Sequence, residues 1–173
     1  MSKPHFPTTF PTLTTERLFL RSLDTDDIPA IYRHFSDPQV VKFLMDPLES
    51  IDDATEVVQQ LLDIFNTGKG IYWVLTLKTS CEMVGLCSFE RFGPGNRGEV
   101  GFDLAPVWWG VGLMTEALTA VIHYGFQTLG LNEIIAITAS DNRRAQRLLK
   151  RLGFRNGKTK QGESKFHLDR ETK

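Results

Sequence analysis

The sequence predicts a mixed α/β domain: one central sheet, mostly antiparallel with one parallel pair, flanked by helices on both faces. Three observations carry this. First, the runs IYWVLTL (Ile71–Leu77), MVGLCSFERF (Met83–Phe92) and EVGFDLA (Glu99–Ala105) have strand character and are separated only by short turns, Lys78–Glu82 and Gly93–Gly98. Links that short join antiparallel neighbours. Second, the stretch Glu99–Phe126 changes period. Phe, Val and Leu alternate until Pro106 ends the strand, and from Leu113 two apolar rows take over, Leu113/Ala117/Val121/Tyr124 and Met114/Leu118/Ile122/Gly125. Third, another apolar run, Ile134–Ala139, follows that helix, and strands joined by a crossover helix run parallel.

The remaining elements follow in order. Residues 1–13 are rich in Pro and Thr and read as a loose lead-in. Arg17–Leu23 alternates apolar and polar residues as a first strand. Asp24, Thr25 and Asp26 offer N-caps for a helix through Ile28, Ile31, Tyr32 and Phe35, which Asp37–Pro38 breaks. Val40–Met45 reads as a second helical turn. Ser50–Asp53 caps an amphipathic helix over Ala54–Asn66, with Val57, Leu61, Leu62 and Phe65 inward. After Glu99–Phe126, Gly130 closes the central helix. Asp141 or Asn142 caps a last helix with Ala145, Leu148, Leu149 and Leu152 inward, ended by Gly153. The tail, Phe154–Lys173, is polar and reads as one weak strand around Lys165–Asp169. No repeat or internal boundary appears, so residues 1–173 are expected to form a single domain, as the length allows.

Composition narrows the function. Hydrophobic residues make up 41% and charged residues 24%, average for a globular protein. A net charge of -1 argues against nucleic-acid binding through bulk positive charge. No run reaches the roughly 18 apolar residues of a membrane span, and Met1–Pro11 has no signal-type segment. With only Cys81 and Cys87, no disulfide framework is implied, and the cytoplasm is the expected compartment. The scattered histidines, His5, His34, His123 and His167, give no metal-site spacing.

A strand feeding a glycine turn at a helix start is chemically useful. The first amides of a helix have no internal partner and carry the positive end of its dipole. Gly110 and Gly112 would let a phosphate approach the amides of Val111, Leu113, Met114 and Thr115. The plainer reading is a turn that needs glycine for its backbone angles alone. Gly110-Val-Gly112 also imitates half of a dinucleotide fingerprint. Against a nucleotide-dependent oxidoreductase, the third glycine falls on Thr115 and no tight strand–helix–strand unit precedes the turn.

Four segments, TERLFLRSLDTDD (Thr15–Asp27), EVGFDL (Glu99–Leu104), WWGVGLMTEA (Trp108–Ala117) and SDNRRAQRLLKRLGF (Ser140–Phe154), together resemble the GCN5-related N-acetyltransferase (GNAT) superfamily. Within it the chain is similar to the RimJ/RimL-type branch that acetylates ribosomal-protein N-termini and related amines. The resemblance implies an acetyl-CoA-dependent N-acetyltransferase acting by direct amine attack in a ternary complex, with no metal. The family's phosphate turn falls here on Trp109, Gly112 and Met114, the last bulkier than usual. The resemblance also implies that the pantetheine arm pairs with Phe102, Asp103 and Leu104, and that Asn142 holds the cofactor arm or orients the reaction centre. Many members carry a tyrosine where this chain has Leu149, so the departing thiolate has no acid there. That substitution keeps a non-catalytic acyl-CoA sensor open, and the tail is short for the usual final pair of strands.

Amine acylation needs a neutral amine, a polarised carbonyl and the two reactants side by side. A carboxylate is the expected proton acceptor. Glu99 is the first candidate, sharing a face with Gly101 and Asp103 on a two-residue period, and Glu90 the second. Solvated or paired strand-end carboxylates are the plain alternative for both. Trp108 and Trp109 line an acceptor cleft or fill core, and His123 belongs to a wet helix stripe. Cys87 is a buried strand residue. Arg143, Arg144, Arg147, Lys150 and Arg151 form a solvated face unless a coenzyme A 3′-phosphate lies near. Acceptor choice is expected in loops such as Phe43–Ser50 and Gly93–Gly98. The acceptor, a protein N-terminus or a small-molecule amine, and the state, monomer or homodimer, stay open.

Overall fold

In the computed structural model, residues 5–160 and 162–170 are described; the ends of the expected 1–173 domain and residue 161 lie outside the described residues. The chain forms strands β1 (Leu13–Thr14) and β2 (Leu18–Arg21), then helices α1 (Ile28–Phe35), α2 (Pro38–Val41) and α3 (Ile51–Asn66). Strands β3 (Ile71–Leu77), β4 (Met83–Gly93) and β5 (Arg97–Leu104) come next. Helix α4 (Leu113–Gln127), β6 (Glu133–Ala139), α5 (Arg143–Arg151), β7 (Arg155–Lys160) and β8 (Glu163–Asp169) complete it. The sheet has eight strands in the order β1-β2-β3-β4-β5-β6-β8-β7. Every neighbouring pair is antiparallel except β5 and β6, the crossover pair predicted to be parallel.

The helix boundaries follow their caps. Ser50 Oγ accepts from Asp53 N while the Asp53 carboxylate accepts from Ser50 N, so two orphan donors at the start of α3 are satisfied reciprocally. Its inward face centres on Ala54 and Val58, with Val57, Leu61 and Leu62 flanking them. The expected Val40–Met45 turn begins earlier, at Pro38, because the Asp37 side chain caps it by accepting from Gln39 N.

Alternation along the strands separates two cores. Ile71, Trp73 and Leu75 of β3, Cys87 and Phe89 of β4, and Val100 and Leu104 of β5 face α4 and Leu149 of α5. Val74 and Leu86 point the other way, against Ile31, Phe35, Val41, Ala54 and Val58 of α1–α3. Trp73 organises the larger core. Its ring meets Phe89, Tyr124 and Phe10 edge-on at centroid distances of 6.2, 5.8 and 6.1 Å, and its Nε1 donates to Pro11 O.

Three expectations are corrected. The lead-in is not loose where it is described: Phe6 and Phe10 pack on Phe65, Phe92 and Trp73, and Leu13–Thr14 pairs with β2. Burying two phenyl rings outweighs the weak strand signal of a Pro/Thr-rich segment. The tail carries two strands, not one. β8 inserts beside β6 over seven paired positions and buries Phe166, while polar β7 takes the sheet edge, where charged residues are at home. The turn Gly93–Gly98 is shorter than expected, with Gly93 in β4 and Arg97 and Gly98 in β5. Asn96 and Gly95, with φ of 55° and 77°, make a tight hairpin, so β5 starts at Arg97.

Helix α4 approaches the sheet most closely at Gly125, where an added Cβ would lie 2.6 Å from Phe89 Cζ and 3.1 Å from Ile134 Cδ1. Alanine there gains helix propensity, about 1 kcal/mol, but must displace a fully buried ring, which costs about 1–3 kcal/mol. We expect Gly125→Ala to be destabilised by about 1 kcal/mol, seen in thermal unfolding as a Tm lower by roughly 2–4 °C.

Candidate active site

The site is made by a failure of pairing. β5 and β6 are in register only over Arg97–Glu99 and Glu133–Ile135. Beyond these residues β5 stays with β4 as far as Leu104, while β6 stays with β8 as far as Ala139, so the two strands part. A cleft of about 790 Å³ opens there. Phe102, Asp103 and Leu104 line it from β5, Trp108–Gly110 and Gly112–Thr115 from the turn and start of α4, and Asp141–Ala145 from the start of α5. Val40, Phe43 and Leu44, in and after α2, close the far side.

Gly112 is the N-cap of α4 at φ 87°, and Gly110 has φ 81°. Both positions therefore need glycine for backbone reasons, as the plainer reading held, and both also leave the turn open toward the cleft. The first helical bond runs from Glu116 N to Gly112 O, so the amides of Leu113, Met114 and Thr115 precede the ladder at the positive end of the helix.

Two clasps hold this turn. Arg17, before β2, donates from Nη1 to Val111 O at 3.0 Å and from Nε to Glu116 Oε2 at 2.7 Å. Glu116 Oε1 accepts from Thr15 Oγ1 and, at 2.7 Å, from Arg17 N. Burial pushes the Glu116 carboxyl up, but the bonds from Thr15 and Arg17 outweigh it and hold the group below the ordinary range. On the other side, Trp109 Nε1 donates to Leu104 O at 2.7 Å, and the Arg144 guanidinium lies 3.6 Å from the centroid of its ring. Trp109 thus ties the turn to the strand end and to α5. Trp108 also lines the cleft, and its Nε1 is the buried side-chain polar atom without a partner among the described residues.

Asn142 caps α5: its Oδ1 accepts from Ala145 N at 3.1 Å, which leaves its amide NH2 for the cleft. Gln146 Nε2 donates to Ala139 O and Ser140 O, fixing α5 to the end of β6, a role no sequence pattern announced. Arg143, Arg144, Arg147 and Arg151 all reach the cleft, so the basic helix face is not simply solvated. Val111, expected with the turn residues, is half exposed and turns its carbonyl to Arg17. Leu149 is fully buried in the larger core, and His123 is exposed.

The carboxylates share the opposite sheet face. Glu99 lies where β5 and β6 still pair, outside the residues that line the cleft, and its Oε1 accepts from Arg91 Nη2 at 2.9 Å. Glu90 reaches over Gly101, where a Cβ would sit 2.0 Å from its Oε1. Burial, then the charge of Glu99, raises its pKa. Burial and the Glu90 charge also push Tyr72, on the same face, up to about 12. Asp103 does line the cleft, and it contacts His34 of α1. Neither Arg17 and Glu116 nor His34 stood out in the sequence, because each acts across a long separation in the chain. Of the two acceptor loops expected, Phe43 and Leu44 line the cleft, whereas Gly93–Gly98 lies at the other end of β5.

Among the described residues no helix is long and apolar enough to cross a membrane, and no group of three His, Cys, Asp or Glu side chains could hold a metal. A family model described as an acetyltransferase (GNAT) domain matches residues 17–155. The chain is 33% identical over 147 residues to the uncharacterized N-acetyltransferase YoaA of Bacillus subtilis (strain 168), covering 84% of this chain and 83% of that one. It is 29% identical over 166 residues to the ribosomal protein uS5-alanine N-acetyltransferase of Escherichia coli (strain K12), covering 90% and 82%. A GNAT-family acetyltransferase from Bacillus anthracis superposes with a TM-score of 0.81 at 20% identity, covering 92% and 98%. RimL, a ribosomal L7/L12 alpha-N-protein acetyltransferase solved with coenzyme A, does so at 0.78 and 20%, covering 92% and 97%, a likeness of fold. With its matched segment spanning the parted strands, the glycine turn and both flanking helices, the chain belongs to the GNAT family of acetyltransferases.

Proposed function

We propose that the chain moves an acetyl group from acetyl-CoA to a primary amine by direct attack in a ternary complex. The parting of β5 and β6 carries this reading, because it leaves the backbone of Phe102–Leu104 without a strand partner on the cleft side. An extended pantetheine arm would add there as a strand does. The pyrophosphate would then meet the amides of Leu113, Met114 and Thr115, and the four arginines of α5 would meet its remaining phosphate. RimL, which shares the fold, was solved with coenzyme A. The acceptor enters past Phe43 and Leu44, and a protein N-terminus such as the alanine in the uS5 enzyme's name, or a small amine, is the substrate class. Proton removal falls to the acidic face. Glu99, the base expected from the sequence, is engaged by Arg91 outside the cleft lining, so it adds negative charge to this face rather than meeting the amine itself.

Thermal unfolding and calorimetry with acetyl-CoA, desulfo-CoA, NADH, NADPH and ATP test the cofactor. At about 100 times its dissociation constant a ligand adds roughly 2.7 kcal/mol, so both coenzyme A species should raise Tm by roughly 5–10 °C and the others should not. Stabilisation by a nicotinamide nucleotide alone sinks the proposal. Turnover is then sought with an Ala-initiated peptide, spermidine and free amino acids; binding without turnover of any amine assigns a sensor instead.

The Arg17–Glu116 clasp supplies a second prediction. Glu116→Gln should raise the KM for acetyl-CoA by about 5–20-fold, as expected for losing charge-assisted bonds of about 1–2 kcal/mol, with kcat little changed. Because the folded state lowers the Glu116 pKa, the wild type holds this stability above the ordinary glutamate range and loses it as pH falls through the lowered value. The stability gap between wild type and Glu116→Gln should therefore close toward low pH in urea titrations.

A further inference from the structure

His34 is a buried histidine paired with a carboxylate of the cleft. Its side chain is 5% exposed and sits in the last turn of α1, edge-on to Phe35 at 5.0 Å. Its Nε2 meets Asp103 Oδ1, and the Asp103 side chain is 14% exposed. A carboxylate can only accept, so Nε2 carries the proton and donates. Removing two ionisable groups from water costs free energy that one contact rarely repays, so a structural role alone explains the pair poorly. Asp103 is also the middle residue of the cofactor segment. Phe102 and Leu104 turn toward the larger core, and Asp103 turns to the α1 face, where the cleft meets Val40 and Phe43.

We propose that Asp103 is the proton acceptor for the amine and that His34 positions it. The inference rests on the acetyl-transfer reading above. The incoming R–NH3+ gives one proton to the Asp103 carboxylate. The freed lone pair forms the C–N bond at the acetyl carbon while the C=O π pair moves onto oxygen. That pair returns as the C–S bond breaks, and sulfur leaves with the bonding electrons. The second proton on nitrogen passes to the thiolate, giving amide and thiol, and Asp103 returns its proton to solvent. His34, by holding one carboxylate oxygen, keeps the other free for the amine. The groups on the side of Asp103 are His34 from α1, Glu90 from β4 and Glu99 on its own strand, with Lys42, Arg143 and Arg144 around the cleft, while the buried Cys87 of β4 lies behind it on the opposite sheet face. Glu90 and Glu99 lie one strand turn back along the same face, and their negative charge favours a cationic acceptor on this side while the arginines of α5 hold the anionic donor on the other.

The test uses full-length Asp103→Asn, His34→Ala and His34→Gln, with whichever amine of the panel above the wild type turns over fastest. Desulfo-CoA affinity by calorimetry and Tm are measured alongside. Asp103→Asn should lower kcat by about 10²–10⁴-fold with desulfo-CoA affinity within about twofold, and its residual rate should rise with pH in step with the free-amine fraction of the acceptor. His34→Ala should lower kcat roughly tenfold, and His34→Gln, which restores an N–H donor, should recover most of it. Asp103→Asn within about threefold of wild type, a kcat loss that tracks weakened desulfo-CoA binding, or His34→Gln as impaired as His34→Ala would each overturn the proposal. A wild type that turns over no amine overturns the acetyl-transfer reading along with it, so the two failures are distinct.

Discussion

Everything at the site depends on where two parallel strands stop pairing. A sheet ladder normally satisfies its backbone groups with a neighbouring strand, and an unpaired stretch inside a sheet is costly. Here β5 and β6 hold together for three positions and then diverge, each kept straight by its other neighbour. The divergence sets the direction of the cleft, aims the start of α4 into one end of it and places the start of α5 across from it. The exposed backbone edge is thus a binding surface because the rest of the sheet is well paired.

The remaining interactions stop this opening from collapsing. Arg17 and Glu116 tie the glycine turn to the link before β2, and Trp109 ties it to Leu104 and Arg144. Gln146 fixes the other wall. These contacts use charged, aromatic or amide side chains on main-chain carbonyls or on one another. The amides at the start of α4 are therefore left for a ligand, and the helix end keeps its partial positive charge.

The sheet, its parallel pair and the glycine turn were legible because each is written in local pattern: period two, a period change at Pro106, and glycines before a helix. The two strands after α5 were not. β7, RNGKTK, has no apolar alternation because it lies at an edge, and β8 shows only Phe166 as a buried residue. The N-terminal aromatics were missed for the opposite reason, since their partners lie across the sheet. At the site, the turn residues and Asn142 could be read off, whereas the carboxylates could not be ranked. Glu99, Glu90 and Asp103 share one face by simple alternation, and it is the divergence of the strands, the Arg91 contact of Glu99 and the position of His34 that distinguish them.

The place of β8 also bears on how the molecule is made. β6 forms one wall of the cleft, yet its grip on β5 is brief and its long partner is β8, which comes later in the chain. During synthesis β2–β5 and α4 can assemble from segments already available, but β6 stays an open edge until Glu163–Asp169 arrives. The cleft is therefore among the last parts of the domain to take shape. A chain interrupted between α5 and β8 would carry the whole glycine turn and every arginine of α5, and still present an exposed strand in place of a finished binding site.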